Sequence, residues 1–503
     1  MDVVNGMLHG FAVALTPTNL WWCFAGCFLG TVVGVMPGLG PAATIAMLLP
    51  LTFQMDPTSA IIMLAGIYYG AKYGGSTTSI LLNVPGESAS VVTCIDGYQM
   101  ARNGRAGAAL GIAAIASFVA GSVGVVALML IAPPLARMAL SFSSPEYFAL
   151  MVLGLAMVVL LAGASLVKAL LAMLVGLWIA SMGTDVFTAV SRFTFGRSEL
   201  LDGLDFVVVA IGVFAIGEVL GSMETREETQ MLPLPKGLRN LLPTLEDLKA
   251  CRFAFLNGSV VGFFIGILPG AGSTIASFIS YGIEKAVSRH PEKFGTGVPE
   301  GVAAPEGANN SETGGALVPM LTLGIPGSST TAILLAALVL WGLKPGPLMI
   351  QEHASLFWGL VASMYVGNVM LLILNIPLIP LFAQILRLPV YVLYPVIFGI
   401  SIVGVYSVSS SLFDVWTLAA FGLLGYLMRR LDYPTAPLIL GLVLGDSMER
   451  ALRQSLMMSQ GDLGILVSRP ISAVMLGLAC LILVLPLIRQ VNAWRVKAIE
   501  DGV

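Results

Sequence analysis

Small residues and side chains with hydroxyl or amide groups gather in two parts of a sequence that is otherwise apolar. Hydroxyl groups and the free amides of helix N-termini bind anions without a fixed positive charge, which suits carboxylate substrates. Asn and Thr oxygens, with carbonyl oxygens freed at breaks in helices, also suit sodium, a hard cation. We therefore predict a substrate site built from Lys72, Ser76, Thr77, Thr78, Asn83, Gly86, Glu87 and Ser88 in the first half and from Ser273, Thr274, Asn310, Thr313, Gly327, Ser328, Ser329 and Thr330 in the second.

Lys72 stands beside the first hydroxyl cluster, in the segment Tyr68-Tyr-Gly-Ala-Lys-Tyr73. A buried ammonium group is costly unless it meets a carboxylate or a substrate, and the alternative is a side chain that reaches water from a helix end. Glu87 and Glu312 are candidate partners for Lys72 or candidate proton carriers. Asp96 and Asp185 lie at the ends of apolar runs, which predicts solvated or capping roles for them.

Proline and glycine interrupt the apolar sequence at four places that form two ordered pairs. The first pair is Gly34-Val-Met-Pro-Gly-Leu-Gly-Pro41 and Asn83-Val-Pro-Gly86; the second is Gly266-Ile-Leu-Pro-Gly-Ala-Gly-Ser273 and Gly324-Ile-Pro-Gly327. Backbone groups freed at such breaks must be buried in protein or line a polar cavity when they lie at membrane depth. Matched breaks predict a site where two repeats meet, whereas packing kinks are the alternative. The predicted site therefore also includes Pro37, Gly38, Gly40, Pro269, Gly270 and Gly272.

The composition is that of an integral membrane protein, with 57% hydrophobic and 11% charged residues. Soluble domains carry about 25% charged residues. The net charge of −3 comes without a basic run, which argues against nucleic acid as a partner. The three histidines form no zinc-protease motif, and the sequence carries no nucleophile–histidine pair at membrane depth, so we predict that the chain is not an enzyme.

We predict an all-α polytopic membrane protein with roughly 10–12 transmembrane segments. The predicted organisation is a first repeat at 1–223 with a re-entrant hairpin at 20–53 and a broken span at 58–98, a cytoplasmic linker at 224–252, and a second repeat at 253–503 with a hairpin at 253–283 and a broken span at 312–342.

The charge pattern predicts that the two repeats have inverted topology. The stretch 52–59 has no basic residue, whereas its counterpart 284–300 has three. Later in each half the difference is reversed, because 99–107 has two basic residues and its counterpart 342–354 has one. Basic residues concentrate on the cytoplasmic side, so opposite asymmetry at equivalent positions indicates opposite orientation. The topology of 433–465, which contains Arg450 and Arg453, stays open.

Four segments of the chain resemble the large membrane subunit of the tripartite tricarboxylate transporter (TctA) family. They are residues 34–41, 69–87, 266–272 and 323–328, in this order and spacing. The resemblance implies the translocation subunit of a bacterial inner-membrane uptake system that is driven by an ion gradient, typically sodium, without ATP. Elevator-like or rocking motion of the hairpins and broken spans is the expected mechanism.

The resemblance also implies partners and substrates. The expected partners are a small four-helix membrane subunit (TctB-like) and a periplasmic solute-binding protein (TctC-like), and the usual substrates are citrate and related organic acids. No cofactor is expected beyond the coupling ion. A stand-alone carboxylate transporter or exporter of the same fold is the alternative.

Overall fold

Helices make up almost all of the structure, a computed structural model that describes residues 3–36, 38–161, 165–224, 241–385 and 390–484. The chain is 80% helical. Within the described ranges, strands occur in one antiparallel pair, with Gly183 opposite Arg192. The predicted all-α class is confirmed. The chain forms two compact units: unit 1 comprises 1–139, 207–267 and 272–427, and unit 2 comprises 140–206, 268–271 and 428–503.

Unit 1 contains most of the helices. They are α1 (Val3–Ala14), α2 (Pro17–Gly34), α3 (Pro41–Leu48), α4 (Pro57–Leu82), α5 (Val91–Met100), α6 (Ala106–Ala139), α9 (Phe206–Ala210), α10 (Gly217–Ser222), α11 (Leu245–Ala250), α12 (Arg252–Ile267), α13 (Gly272–Val287), α14 (Glu300–Leu323), α15 (Ser329–Leu340), α16 (Met349–Glu352), α17 (Ala354–Ile385), α18 (Val390–Ser409) and most of α19 (Leu412–Arg430). Short 3-10 helices span Leu49–Thr52, Ser88–Ser90 and Pro291–Lys293, and π-helical turns span Ala101–Arg105 and Ile211–Ile216.

Unit 2 has fewer elements. They are α7 (Ser144–Leu161), α8 (Leu166–Ala180), β1 (Gly183–Thr184), β2 (Ser191–Arg192), a 3-10 helix (Ser198–Leu200), α20 (Thr435–Met458), α21 (Ile465–Ser468) and an apolar helix, α22, at Pro470–Val484.

Glycine allows very close packing of α2 against α4. A Cβ atom added at Gly34 would lie 2.3 Å from the carbonyl oxygen of Ala71, and a Cβ at Gly30 would lie 2.5 Å from that of Ile67. The pair α12 and α14 repeats this contact, because a Cβ at Gly266 would lie 2.4 Å from the carbonyl oxygen of Glu312. Small residues let helix backbones approach in this way inside membrane proteins.

The C-terminal ends of α4 and α14 also match. Asn83 ends α4 with φ 59° and Gly324 ends α14 with φ 69°, both in the left-handed region that stops a helix. Each end is followed by an X-Pro-Gly segment and then by a capping box, at Glu87 with Ser90 and at Ser328 with Thr331. The paired breaks of the sequence are therefore paired in local structure.

Several helices have the length and apolar composition needed to cross a bilayer. Among the described residues these are Ser88–Ala139, Ser144–Leu161, Ala354–Leu378 and Leu412–Arg430, and α1 with α2 form a bent pair with an angle of 81°. Seven shorter apolar helices accompany them. Together with the composition, these helices make the chain a multi-pass membrane protein.

Asp96 has a role that differs from the solvated or capping one predicted for it. Its carboxylate is fully buried and accepts hydrogen bonds from the backbone N–H groups of Gly295, Gly297 and Val298 at 2.8–3.1 Å and from the Tyr281 hydroxyl at 2.9 Å. Asp96 thus fixes α5 to the loop that precedes α14. Sequence position could not show this because the donors are backbone amides about 200 residues away.

Part of the predicted linker at 224–252 is packed against unit 1. Leu241 is buried, and its carbonyl oxygen would lie 2.5 Å from a Cβ added at Gly111 on α6. Both carboxylate oxygens of Asp247 on α11 accept hydrogen bonds from Arg105 at 2.7 Å. Residues 225–240 of the linker lie outside the described part of the chain.

In unit 2, ion pairs join α20 to the loop between α8 and α9. Asp185 accepts from Arg453 at 2.9 Å, and Glu449 accepts from Arg192 at 2.8 Å. Hydrogen bonds from the backbone N–H groups of Thr188 and Phe187, together with Arg453, lower the pKa of Asp185 to about 2. Arg453, whose position in the topology stayed open, is thus held by this loop.

Candidate functional site

A lysine and a glutamate meet in the interior of unit 1. The lysine lies on α4 and the glutamate on α14, the two helices whose C-terminal ends match. Lys72 Nζ lies 2.6 Å from Glu312 Oε2, and both side chains are about 1% exposed. The ammonium group also donates to the carbonyl oxygen of Asn309 at 2.6 Å and lies 4.8 Å from the centre of the Tyr68 ring. Tyr68 donates to the same glutamate oxygen at 3.2 Å. Two alternatives were considered for Lys72, a buried ammonium group with a partner and a side chain that reaches water. The structure shows the buried ammonium group, with a carboxylate partner.

Two further glutamates belong to the same hydrogen-bonded network. Glu306, one and a half turns before Glu312 on α14, accepts from Ser76 at 2.5 Å and from Thr93 on α5. Glu87 accepts from the side-chain amide of Asn309 at 2.6 Å. Ser76 stands one turn after Lys72, so α4, α5, α14 and the turn at Glu87 all contribute to one buried polar network.

The charges of this network are unequal. Three carboxylates face one ammonium group, and all four side chains are at least nine-tenths buried. A buried carboxylate needs a cation, a proton or several hydrogen-bond donors, because its desolvation otherwise costs several kcal/mol. The network as it stands therefore favours cations and protons more than additional anions, and an anion can approach it only with compensating positive charge.

Buried oxygen atoms without a hydrogen-bond partner cluster on one turn of α14. Within the described residues, these are Asn309 Oδ1, Asn310 Oδ1, Glu312 Oε1 and Thr313 Oγ1. Both polar atoms of the Asn368 side-chain amide, on α17, also lack a hydrogen-bond partner among the described residues. Such groups are rare in folded proteins and indicate a function, a water or an ion.

The predicted site residues of the first half come together around Glu87. A Cβ added at Gly86 would lie 2.4 Å from the Cα of Gly75 and 3.0 Å from the carbonyl oxygen of Gly34, and a Cβ at Gly40 would lie 3.8 Å from the Glu87 side chain. Thr78 donates to the carbonyl oxygen of Val35 at 2.5 Å. The break after Gly34 and the break after Asn83 are therefore neighbours.

Other predicted residues of this half have different surroundings. Gly38 has φ 82°, the left-handed conformation that glycine adopts most readily, whereas Pro37 lies outside the described residues. Thr77 lines a small pocket with Tyr73 and Ser76. Asn83 and Ser88 are exposed, and Asn83 serves as the left-handed end of α4.

The predicted residues of the second half divide into two groups. Gly327 lies against the end of α12, because a Cβ there would be 2.9 Å from the carbonyl oxygen of Gly266. Ser328 caps α15 in a reciprocal pair with Thr331, so its hydroxyl group binds backbone in this conformation. Ser329 and Thr330 follow in the first turn of α15. Asn310 and Thr313 lie on the buried face of α14.

Among the described residues, no contact joins the tip of the second predicted hairpin to the Lys72–Glu312 pair. Gly270, with φ 82°, belongs with Pro269 to unit 2, where a Cβ at Gly270 would lie 2.3 Å from the Cα of Val158. Gly272, with φ 61°, begins α13 and is followed by the half-buried Ser273 and Thr274.

Sequence reasoning missed Glu306, Thr93, Ser117 and Asn368 as members of the polar interior. Glu306 was hidden because α14 carries many small and polar residues and no hydrophobic periodicity that marks a face. A signal existed nevertheless, since Glu306 and Glu312 are two acids in a helix whose other residues from Gly301 to Leu323 are uncharged. Ionisable groups at such depth mark functional sites in membrane proteins.

Comparison with known proteins shows the family of the chain. The profile of the tripartite tricarboxylate transporter TctA family matches residues 20–440. The chain belongs to this family. The match spans all four broken segments and the Lys72–Glu312 pair, and it confirms the resemblance drawn from the sequence motifs.

Two curated relatives of this family member come from Agrobacterium vitis. An uncharacterized 52.8 kDa protein in the TAR-I ttuC' 3'region is 48% identical over 493 residues, which are 97% of this chain and 98% of the relative. An uncharacterized protein in the TAR-II ttuC' 3'region is 42% identical over 241 residues, which are 48% of this chain and all of the relative. No solved structure matches the chain.

Proposed function

We propose that this chain is the translocation subunit of a secondary transporter that imports citrate or related organic acids, driven by an ion gradient, most simply that of sodium. The observation that carries the proposal is the buried Lys72–Glu312 pair, held between two helices that end in equivalent breaks. Ionisable groups in such a position are expensive and are typical of substrate and ion pathways. Membership in the TctA family supports the transporter class.

The proposed substrate contact is Lys72. A substrate carboxylate would compete with Glu312 for the ammonium group, since both are oxygen anions of the same geometry. Release of Glu312 from Lys72 leaves an uncompensated carboxylate, and a cation bound beside it would offset that cost. Substrate and cation would then bind cooperatively, with each raising the affinity for the other by the same factor.

The repeated framework supports alternating access. In the proposal, the segment from α2 to α5 and the segment from α12 to α15 are inverted repeats, consistent with their opposite charge asymmetry and their equivalent glycine contacts. Movement of these segments, in an elevator-like or rocking manner, would expose the site to each side of the membrane in turn. The helix ends at Asn83 and Gly324, where the backbone is left-handed, would be fixed boundaries of the moving segments.

The proposal includes two protein partners and a location. A TctB-like four-helix subunit accompanies this chain in the bacterial inner membrane, and a TctC-like periplasmic protein delivers the substrate. The word tripartite in the family description supports the proposal of two partners.

Uptake by reconstituted vesicles tests this function. Proteoliposomes that contain the chain and its small subunit would be assayed with labelled citrate and then with other di- and tricarboxylates, with and without the binding protein, and with sodium or potassium outside. We expect uptake that requires both the binding protein and sodium. Uptake without the binding protein would favour a stand-alone transporter, and no uptake of any organic acid would contradict the proposal.

A further inference from the structure

The unpartnered oxygen atoms of α14 include three that belong to neutral side chains, those of Asn309, Asn310 and Thr313. Asn310 and Thr313 are fully buried, and within the described chain Asn310 Oδ1 and Thr313 Oγ1 accept or donate no hydrogen bond. A buried polar atom left unsatisfied costs about 1–3 kcal/mol. Two such atoms on one helical turn therefore indicate that something else binds there.

A third side chain contacts the same stretch of α6 as Asn310. The side-chain amide of Asn310 donates to Ser117 Oγ on α6 at 2.7 Å. Asn368 of α17 packs against Gly121, the next turn of the same α6 face, where an added Cβ would lie 3.1 Å from both amide atoms. Asn368 is fully buried, and no described residue bonds to its Oδ1 or Nδ2. Thr313 stands one turn after Asn310 on α14, which runs beside α6.

Charge and ligand type indicate what this position would bind. The adjoining network has three carboxylates and one ammonium group, so positive charge is favoured nearby. Amide and hydroxyl oxygens are hard ligands that suit alkali and alkaline-earth cations. The helices α14 and α6 approach closely beside this position, because a Cβ added at Gly314 would lie 2.6 Å from the carbonyl oxygen of Gly124.

We infer that Asn310, Thr313 and Asn368 form a binding site for a dehydrated sodium ion. The inference deepens the proposed function and rests on it, since the ion would be the one whose gradient drives uptake. Because Thr313 and Glu312 lie on the same turn of α14, a cation bound beside Thr313 would offset part of the glutamate's charge when a substrate takes its place on Lys72. We take the ion to be sodium and not potassium because the proposed function uses a sodium gradient.

Thermal unfolding of the purified protein in detergent, in NaCl or KCl at constant ionic strength, tests the site without any transport. A ligand that binds the folded state raises the melting temperature with its concentration. We expect a saturable rise with sodium and none with potassium. Absence of a sodium-specific rise in the wild type would overturn the inference, because the three side chains would then hold only water.

Three variants assign the effect to these residues. Thr313→Val keeps the shape and removes a hydroxyl group that has no partner, so it should melt at or above the wild-type temperature in KCl and lose the sodium effect. Asn368→Ala should raise the half-saturating sodium concentration about tenfold or more. The control is Asn375→Ala on the same helix, because the Asn375 amide already donates to Leu371 O at 3.0 Å; it should keep the wild-type sodium response.

Wild-type half-saturation in both Thr313→Val and Asn368→Ala would overturn the assignment. The result is separable from that of the uptake assay. Sodium binding at these residues without carboxylate uptake would contradict the proposed function and leave the cation site, whereas sodium-driven uptake with unaltered variants would contradict the site alone.

Discussion

Lys72 and the three glutamates around it are a costly set of residues for a protein interior. Each charged group loses its hydration on burial, and one ammonium group cannot neutralise three carboxylates. Fold stability alone gives no reason for such a set, since hydrophobic residues of similar volume would pack in the same space at lower cost. The proposed exchange of partners during transport would give a reason, because every ion bound or released would change the charge balance.

The Lys72–Glu312 pair can be tested by removing its charges singly and together. Lys72→Met leaves Glu312 buried without its partner and should destabilise the protein by about 3–5 kcal/mol, whereas Lys72→Met with Glu312→Gln should recover most of this loss. The measurement is thermal or denaturant unfolding in detergent.

The exposed Lys293→Met is the matched control and should change stability by less than about 0.5 kcal/mol. If Lys72→Met unfolded like the wild type and took up carboxylate at the wild-type rate, the pair would have neither the structural nor the transport role given to it.

At the residue scale, the sequence identified the charged members of the site better than their partners. Lys72 and Glu312 stand out as isolated charges in small or apolar sequence, and each was a candidate for pairing. Their distance of 2.6 Å depends on the register between α4 and α14, which are about 240 residues apart in sequence. Asn368 gave no signal, because a single asparagine in an apolar helix commonly bonds to its own backbone.

Glycine at the contact of α12 with α14 controls the position of Glu312. A Cβ at Gly266 would lie 2.4 Å from the Glu312 carbonyl oxygen, so Gly266→Ala must push the two helices apart. We expect a clear loss of thermal stability and loss of carboxylate uptake. These are measured by unfolding in detergent and by vesicle transport.

Gly282→Ala on α13 is the control for this change. Among described atoms, nothing lies within 4 Å of a Cβ added there, so alanine should keep or slightly raise stability through its better helix propensity. Equal behaviour of the two alanine variants would show that the close approach of α12 to α14 is not required.

The loop held by α20 in unit 2 should show a defined pH dependence. Asp185 has a pKa of about 2 against an ordinary value of 3.8, so its ionised form stabilises the fold above pH 4, and this contribution is lost as the pH falls through about 2. Asp185→Asn should therefore lower the melting temperature by a constant amount from about pH 5 to pH 8, with a smaller difference below about pH 4.

The exposed Asp202 lies in the same loop and provides a control. Asp202→Asn should have little effect at any pH, and a deficit of Asp185→Asn that grew on acidification would contradict the assigned cause of its low pKa.

At the element scale, proline and glycine predicted where the helices break, because these residues remove a donor or permit left-handed backbone. The ends of α4 at Leu82 and α14 at Leu323 agree with those positions. Two features had no local signal. The separate helix α1 is too short to be read as a span, and α20 contains charges whose partners, at Asp185 and Arg192, lie far away in sequence.

For the whole molecule, composition and repeated motifs were sufficient for the class of protein and its family. They were insufficient for the interior chemistry, because the predicted hydroxyl groups at Ser328 and Thr78 bind backbone while an acidic network occupies the interior. A transporter that moves an anion through an acidic interior needs a cation to accompany it. The proposed function therefore includes ion coupling.

The most direct test of this central claim is accumulation of labelled carboxylate against its own gradient. Vesicles with the chain and its partners would receive an inward sodium gradient, and internal substrate would be measured before and after a sodium ionophore is added. The account predicts a substrate concentration above that outside, which falls to equilibrium when the ionophore dissipates the gradient. Uptake that reaches only the external concentration, with or without the sodium gradient, would contradict it.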